Sequence, residues 1–413
     1  MKQGRGTSGA TRGDHRFRDV LVAGELALAL VLLASAGVFL KSLNKLHDVD
    51  LGFRPHGLMT GALALPEKTY DTPEKQIGFV RSALERLQNS PGVESAAAIG
   101  SLPFSGYGGS ASFNIDGRVA PPGDPGPHGD IRQVSPGYFE TMGIRLVRGR
   151  TFTGQDRLGT QTVAMVDENL ARQYWPNQDP IGQRIRNGSN SPWNTIVGIV
   201  APVRHSQVAG DPSSAGPGGA AKGVYYYPLY QVESASAFLI ARTHGDPTPL
   251  GASIREAVHA VDPGQPVSDL KSMDQRVTLS LGPRRSAVAL LTVFAAMALT
   301  LSAVGLFGLV RYNVTQRTQE IGVRMALGAS RRDVLKMVLG EGLRLALFGV
   351  GGGLVAAFAL TRVMGGLLYG VSATDPLTFA AMAALLTFIA LFATWLPARR
   401  ATRVDPLVAL RYE

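Results

Sequence analysis

Few residues in this chain have the types and spacing that chemistry requires, and none of its 413 residues is cysteine. The seven histidines, His47, His56 and His128 among them, are scattered without the spacing of metal ligands. Asp167 and Glu168 form a lone acidic pair. It reads as the cap and first turn of a helix rather than as a general acid and base. There is no Gly-x-x-x-x-Gly-Lys-Ser/Thr loop to cradle nucleotide phosphates, no Gly-x-Ser-x-Gly elbow and no His-Glu-x-x-His helix. The chain is therefore not expected to be an enzyme in its own right, and no cofactor or metal is expected. Two charged features remain. Glu25 is the one charge in the apolar run 20–40. Residues 317–329, RTQEIGVRMALGA, form a charged segment wedged between two longer apolar runs.

That segment is written as a helix, a sharp turn and a second helix. Arg317, Glu320 and Arg324 fall at i, i+3 and i+7, so one helical face carries all three and Glu320 is placed to pair with both arginines. Ile321 and Met325 lie beside this stripe, with Leu327 nearby. Gly328 suits a left-handed helix end. Ser330 is a natural N-cap for the next helix, and Asp333 stands where a capping box places its acid. The alternative is a solvated amphipathic helix on a membrane surface with no partner.

The elements around the segment point to a membrane. Hydrophobic residues make up 45% of the chain, and four runs concentrate them. Residues 286–310 and 377–396 carry no charge, and 20–40 carries only Glu25. Each reaches the roughly 20 apolar residues that a helix needs to cross the hydrocarbon core. Residues 345–361 are marginal, and the third span, 345–364, reaches length only if Arg344 and Arg362 snorkel to the two interfaces. Run 20–40 reads as an anchor rather than a signal peptide, because no small-x-small cleavage site follows it. Glu25, six residues into that run, reads as snorkelling to the nearer face or as an inter-helix hydrogen-bonding group. Gly349, Gly353 and Ala357 recur at intervals of four and suit close helix packing, within the chain or between two copies. Flexibility explains the run 351–353 equally well.

Charge orients the spans. Segments 1–19, 311–344 and 397–413 hold five, seven and four Lys/Arg against two, three and two acids. Loop 365–376 holds one acid and no base. The positive-inside rule puts the first three segments in the cytoplasm, and the short loop and residues 41–285 outside. The outer segment is nearly neutral, with 24 basic and 22 acidic residues, so the net charge of +10 reflects topology and not nucleic-acid binding. Without cysteine, the outer domain must be stabilised by its own core.

The two ends of the outer domain look alike. Residues 58–65, 73–88 and 93–99 read as strand, helix and strand; residues 238–243, 249–261 and 266–270 repeat the pattern. The helix faces are periodic, with Ile77, Val80, Leu84 and Leu87 in one and Leu250, Ile254 and Val258 in the other. Such units close one layered α+β subdomain. Between them lies a Gly- and Pro-rich insert, about 101–235, with strand-like pieces at 162–166 and 195–200, a helix at 168–174 and turn-rich stretches at 120–129 and 209–223. It reads as a second, mostly β subdomain. The expected fold is thus an α+β membrane protein: four transmembrane helices, with the large extracytoplasmic domain between the first and second.

The segment RTQEIGVRMALGASRRDV closely resembles the elbow of MacB/FtsX-type ABC transporter permeases, and the tail RRATRVDPLVALRYE resembles their usual ending. VSPGYFETMGIRLVRGRTF (134–152) and QYWPNQDPIGQRI (173–185) are similar to the MacB-like periplasmic core. The resemblance covers about residues 16–413. It implies a multi-pass protein of the bacterial inner membrane, both termini cytoplasmic, with a β-α-β porter part and an inserted sabre part in the periplasm. It also implies that the cytoplasmic helix docks on a separate ABC ATPase through Arg317, Gln319, Glu320, Ile321, Gly322, Arg324, Leu327 and Gly328, with Arg411 and Glu413 nearby. ATP-driven closure would then move the periplasmic domains by mechanotransmission. Further implied partners are a second permease copy or homologous half, a periplasmic adaptor with an outer-membrane exit duct, and the lipid bilayer. Two departures stand out. MacB carries a fused ATPase, whereas this chain starts almost at its first span and so needs an ATPase from another chain. Its opening, HRFRDVLVAGELALALVLLASAGVFLKSL, also resembles the second half of duplicated acidobacterial permeases, so the chain reads as a lone module or as half of a longer one. The competing readings are an FtsX-like signalling module that activates a periplasmic cell-wall hydrolase, and an orphan scaffold.

Overall fold

The computed structural model describes residues 12–47, 50–118, 126–188, 190–205, 223–327, 329–363 and 375–401. They form two compact units, one of residues 49–282 and one of the segments on either side.

The flanking unit is helical. Four of its helices are long and apolar enough to cross a membrane: α1 (Arg12–His47), α7 (Gly282–Gln316), α9 (Arg331–Val363) and α10 (Pro376–Ala401). Leu26 and Leu30 of α1 pack with Leu306 and Leu309 of α7, Ala346 and Val350 of α9, and Leu386 and Ala390 of α10. Large apolar residues also face outward, such as Leu290, Phe294, Met297 and Leu301 on α7. In water this pattern would be costly, but in lipid it costs nothing. α10 starts with Pro376 at its first position, where the missing N–H goes unneeded. Asp375 precedes it, accepts from Thr378 N–H at 3.3 Å, and pairs with Lys41 Nζ at 2.7 Å, joining the ends of α1 and α10. α9 is one continuous helix of 33 residues from Arg331, and the uncharged run 345–361 lies toward its C-terminal end.

The 49–282 unit has a four-stranded frame. β1 (Leu58–Ala64), α2 (Pro73–Gln88) and β2 (Ser95–Ile99) open it; β10 (Ser236–Arg242), α5 (Leu250–His259) and β11 (Ser268–Ser272) close it. The strand order is β11-β1-β10-β2, antiparallel throughout. β10 separates β1 from β2, which is the split β-α-β arrangement of ferredoxin-like folds. Both helices lay their apolar stripes on one face: Val80, Leu84 and Leu87 of α2, and Leu250, Ile254 and Val258 of α5, share a core with Leu63, Ala98 and Leu239. α2 starts where its sequence directs, since Thr72 Oγ1 accepts from Lys75 N–H and Pro73 fills the first turn. α6 (Met273–Ser280) follows β11 through a complete Ser272–Gln275 capping box.

The insert holds β3 (Gly109–Ile115), β4 (His128–Val134), α3 (Tyr138–Met142), β5 (Leu146–Gly149), β6 (Val163–Asp167), α4 (Glu168–Tyr174), β7 (Arg184–Asn187), β8 (Asn194–Val200) and β9 (Val224–Pro228). Six strands run β4-β3-β7-β8-β6-β9, and a parallel β9–β4 pairing closes them into a ring. Closure removes sheet edges. Phe113, Val166, Ile185, Ile196 and Tyr225 fill one core. The insert has its own core but not its own sheet, because Ile99 of β2 pairs with Val134 of β4. Of the turn-rich stretches, 119–125 and 206–222 lie outside the described residues, and β4 already begins at His128.

Candidate coupling elbow

The charged segment folds into α8 (Thr318–Ala326), nine residues between α7 and α9. α7 breaks at Arg317, whose φ of −104° and ψ of 17° leave the helical region. The break is tight. Arg317 N–H still donates to Asn313 O at 3.2 Å, and Thr318 Oγ1 turns back to Val314 O at 3.0 Å. At the far end Ala329 N–H donates to Arg324 O at 3.0 Å, the six-residue closure of a Schellman-type helix end. Ser330 then opens α9: its N–H and Oγ donate to Asp333 Oδ2 at 3.1 and 2.6 Å. Asp333 thus takes the acid's part of the capping box, while the serine hydroxyl donates to that carboxylate.

α8 has two faces. Ile321 is 2% exposed and Gly322 is buried, so these two residues seat the helix on the bundle. Two further contacts pin it to α9: Arg317 Nη1 to Glu341 Oε1 at 2.5 Å, and Arg324 Nη1 to Met337 Sδ at 3.1 Å. On the other side Val323 is exposed and Leu327 is 83% exposed. Glu320 and Arg324 pair at 2.6 Å with both side chains about half exposed. Among the described residues, the face turned from the bundle thus shows an ion pair, whose Arg324 also reaches Met337, beside an exposed leucine, the mixture of polar rim and apolar anchor that protein interfaces use.

One expectation is corrected. Glu320 does not bridge both arginines: it takes Arg324, and Arg317 takes Glu341. The reason is the break at Arg317, which removes that residue from the face of α8 and turns its guanidinium toward α9. Glu341 was missed because its pairing crosses a turn of the chain and leaves no local spacing to read. Gln319 lies in α8, but its side chain, Gly328, Arg411 and Glu413 lie outside the described residues.

The small-residue row lies elsewhere. Gly349, Gly353 and Ala357 are buried on α9. A Cβ at Gly349 would stand 2.6 Å from Leu26 Cβ, and one at Gly353 would stand 2.9 Å from Ala27 O. The row thus brings α9 against α1 within one chain. Gly351 and Gly352 face open space. Gly342, not singled out from sequence, packs on Thr394 of α10 in the same way. Glu25 does not snorkel freely, since its Oε2 is buried with no hydrogen-bond partner and a Cβ at Gly305 of α7 would meet it at 2.8 Å. Among the described residues no group of three or more His, Asp or Glu could hold a metal ion.

Residues 34–271 match the MacB-like periplasmic core domain, and residues 292–406 match the FtsX-like permease C-terminal family. Macrolide export ATP-binding/permease proteins MacB are among the relatives. That of Burkholderia cenocepacia (strain HI2424) is 27% identical, over 68% of this chain and 41% of its own length. That of Shigella sonnei (strain Ss046) is 29% identical, over 68% and 43%. A probable syringafactin export ATP-binding/permease protein, SyfD, of Pseudomonas syringae pv. tomato (strain ATCC BAA-871 / DC3000) is 26% identical, over 68% and 42%. The chain thus spans about two fifths of the length of these relatives. Among solved structures, the periplasmic region of MacB from Actinobacillus actinomycetemcomitans is similar with a TM-score of 0.37 and 14% identity, covering 54% of this chain and 92% of that one. The extracellular domain of the transporter YknZ from Gram-positive bacteria follows with 0.34 and 13%, covering 51% and 100%. With the core-domain match spanning more than half of its 413 residues and four helices fit to cross a membrane, the chain belongs to the family of MacB-like permeases, multi-pass membrane proteins with a periplasmic core domain.

Proposed function

We propose that this chain is the permease subunit of an ABC-type export system and that α8 is where a separate, ATP-hydrolysing subunit docks. The observation that carries the reading is the two-faced elbow: Ile321 and Gly322 are buried while Leu327 and the Glu320–Arg324 pair stay exposed. A short helix held to α9 by Arg317–Glu341 passes a push on its free face directly into a helix of 33 residues. The relatives' names join ATP binding to permease function, and no phosphate-binding loop occurs in these 413 residues. In this reading α8 lies in the cytoplasm and the core domain on the outer side of the inner membrane, which the basic segments support through the positive-inside rule. Closure of the ATPase moves the core domain by mechanotransmission. A second permease copy or half, a periplasmic adaptor and an exit duct complete the assembly.

The absence of cysteine makes the test clean. Leu327→Cys introduces a single thiol on the face turned from the bundle, and a bifunctional maleimide–succinimidyl ester reagent, which joins the thiol to a lysine amine, is expected to crosslink it to an ATPase subunit in membranes of the producing cell. Glu320→Lys combined with Arg324→Glu is expected to lower co-purification of that subunit at least about ten-fold, the effect of about 1.4 kcal/mol. Unchanged association, or a thiol at position 327 that reacts only with small reagents, would sink the assignment. A hydrolase bound to the core domain with no transport defect on deletion would instead favour the signalling reading.

A further inference from the structure

Beside the elbow, residues of α1, α7, α8 and α9 line an open cavity of about 720 Å³. Asp19, Arg317, Glu341 and Arg344 give its lining charge; Ala23, Leu306 and Phe348, a helical turn or more farther along α1, α7 and α9, make an apolar end. Arg344 stands immediately before the uncharged stretch of α9, so the cavity straddles the level at which hydrocarbon begins. Arg344 is exposed, and among the described residues it has no ion pair or hydrogen bond. Asp19 likewise has none, whereas Glu341 is already held by Arg317. Arg344 and Asp19 are therefore a cation and an anion with no protein partner among the described residues, beside the Arg317–Glu341 pair. The apolar end opens sideways: Phe348 is 76% exposed and Leu347 is 55% exposed on the outside of the bundle.

Each alternative occupant leaves part of this unanswered. Water satisfies the charged end but not the apolar one. A free phosphate meets Arg344 but is repelled by Asp19 and leaves the apolar end empty. A peptide could fill the apolar end, but it would have to supply one anion and one cation at the interface and reach in from the side that faces lipid. An amphiphile of the adjoining leaflet, with a phosphate and an ammonium on one headgroup, answers every part. We propose that this cavity is a binding site for one molecule of a zwitterionic aminophospholipid such as phosphatidylethanolamine, its phosphate on Arg344, its ammonium toward Asp19 and an acyl chain along Ala23, Leu306 and Phe348. Ile321, the buried anchor of α8, also lines the cavity, so the lipid forms part of the seat on which the elbow rests.

The test uses the full chain, purified in mild detergent, supplied with phosphatidylethanolamine or phosphatidylcholine and examined by native mass spectrometry. The wild type is expected to retain one phosphatidylethanolamine per chain and to prefer it over phosphatidylcholine, whose trimethylammonium cannot donate a hydrogen bond to Asp19. Soluble glycerophosphoethanolamine, the headgroup without its chains, should not compete. Arg344→Glu is expected to reduce retention about ten-fold, and Arg344→Lys, which keeps the charge, should retain most of it. Ala23→Phe, which fills the apolar end without touching a charge, should also reduce it. Arg362→Glu, at the other end of the same helix and not lining the cavity, should leave it unchanged. The proposal is overturned if Arg344→Glu and Ala23→Phe both retain lipid as the wild type does. It is equally overturned if removing residues 402–413 raises retention, because the tail would then be the natural occupant.

Discussion

At the scale of single residues the core domain carries a carboxyl whose burial has a measurable consequence. Asp167 is 1% exposed. Its Oδ1 accepts from Leu170 N–H at 2.8 Å and Val224 N–H at 3.0 Å, so one atom caps α4 and fixes the start of β9. Its Oδ2 is buried without a partner. Burial outweighs those two bonds and pushes its pKa up to about 7. A folded pKa raised above the unfolded value of about 3.9 means that the folded state holds the proton more tightly. That contribution is complete below about pH 4 and is lost as pH rises to about 7. The domain should therefore be less stable to urea at pH 7.5 than at pH 5, by up to about 1.4 kcal/mol per unit until pH 7. Asp156 and Asp269 are held below the ordinary carboxylate range, chiefly by hydrogen bonds from Arg150 and from Lys271 and Arg276 that together exceed their burial cost. Their stabilisation is lost only in stronger acid, outside this window. Asp167→Asn keeps the Oδ1 acceptor and should flatten the pH slope. Fluorescence of Trp175, in the adjoining core, reads it. The capping role of Asp167 was legible in the sequence because a cap is local. Its burial was not, because Val224 lies 57 residues away.

At the scale of elements, what the sequence discloses depends on how far a signal reaches. α2 and α4 run over Pro73–Gln88 and Glu168–Tyr174 as their caps and periodicity indicate. The β4–β9 pairing that closes the ring joins strands about ninety residues apart, and alternation does not name a partner. The elbow divides in the same way. Its helix and turn are local, but the Arg317–Glu341 link depends on how α8 folds back on α9. Because both groups of that pair are half exposed, a double-mutant cycle of Arg317→Ala and Glu341→Ala should give a coupling of no more than about 1 kcal/mol. A larger value would mean that the pair is more shielded from solvent than its exposure indicates. The glycines of α9 separate by the space around them. Gly353→Leu must push Ala27 and Leu30 of α1 aside, and should lower thermal stability in detergent by about 1–3 kcal/mol. Gly351→Ala meets nothing within 4 Å and should be neutral or stabilising by up to about 1 kcal/mol. If both variants behaved alike, the α1–α9 contact would not be what the small residues serve.

At the scale of the whole chain, composition settled more than any motif did. Four apolar runs and a nearly neutral stretch between the first two set the order of the parts, whereas the chemistry-bearing residues pointed mainly to what is absent. The frame of the core domain follows from its two β-α-β units, but the attachment of the insert does not. β2 and β10 are antiparallel neighbours, and Ile99 lies opposite Phe238. The polypeptide departs from the frame and rejoins it at nearly one point, as the two strands of a hairpin do. Replacing residues 101–235 by a short Gly-containing turn should therefore leave a folded four-stranded frame, to be checked by cooperative unfolding of the shortened protein. Collapse of the frame would show that the Ile99–Val134 pairing and the hydrogen bond from Arg242 Nε to Thr141 O are indispensable to it. Such a joint makes the insert a cartridge. Its length and surface chemistry can change while the register of the frame stays as it was.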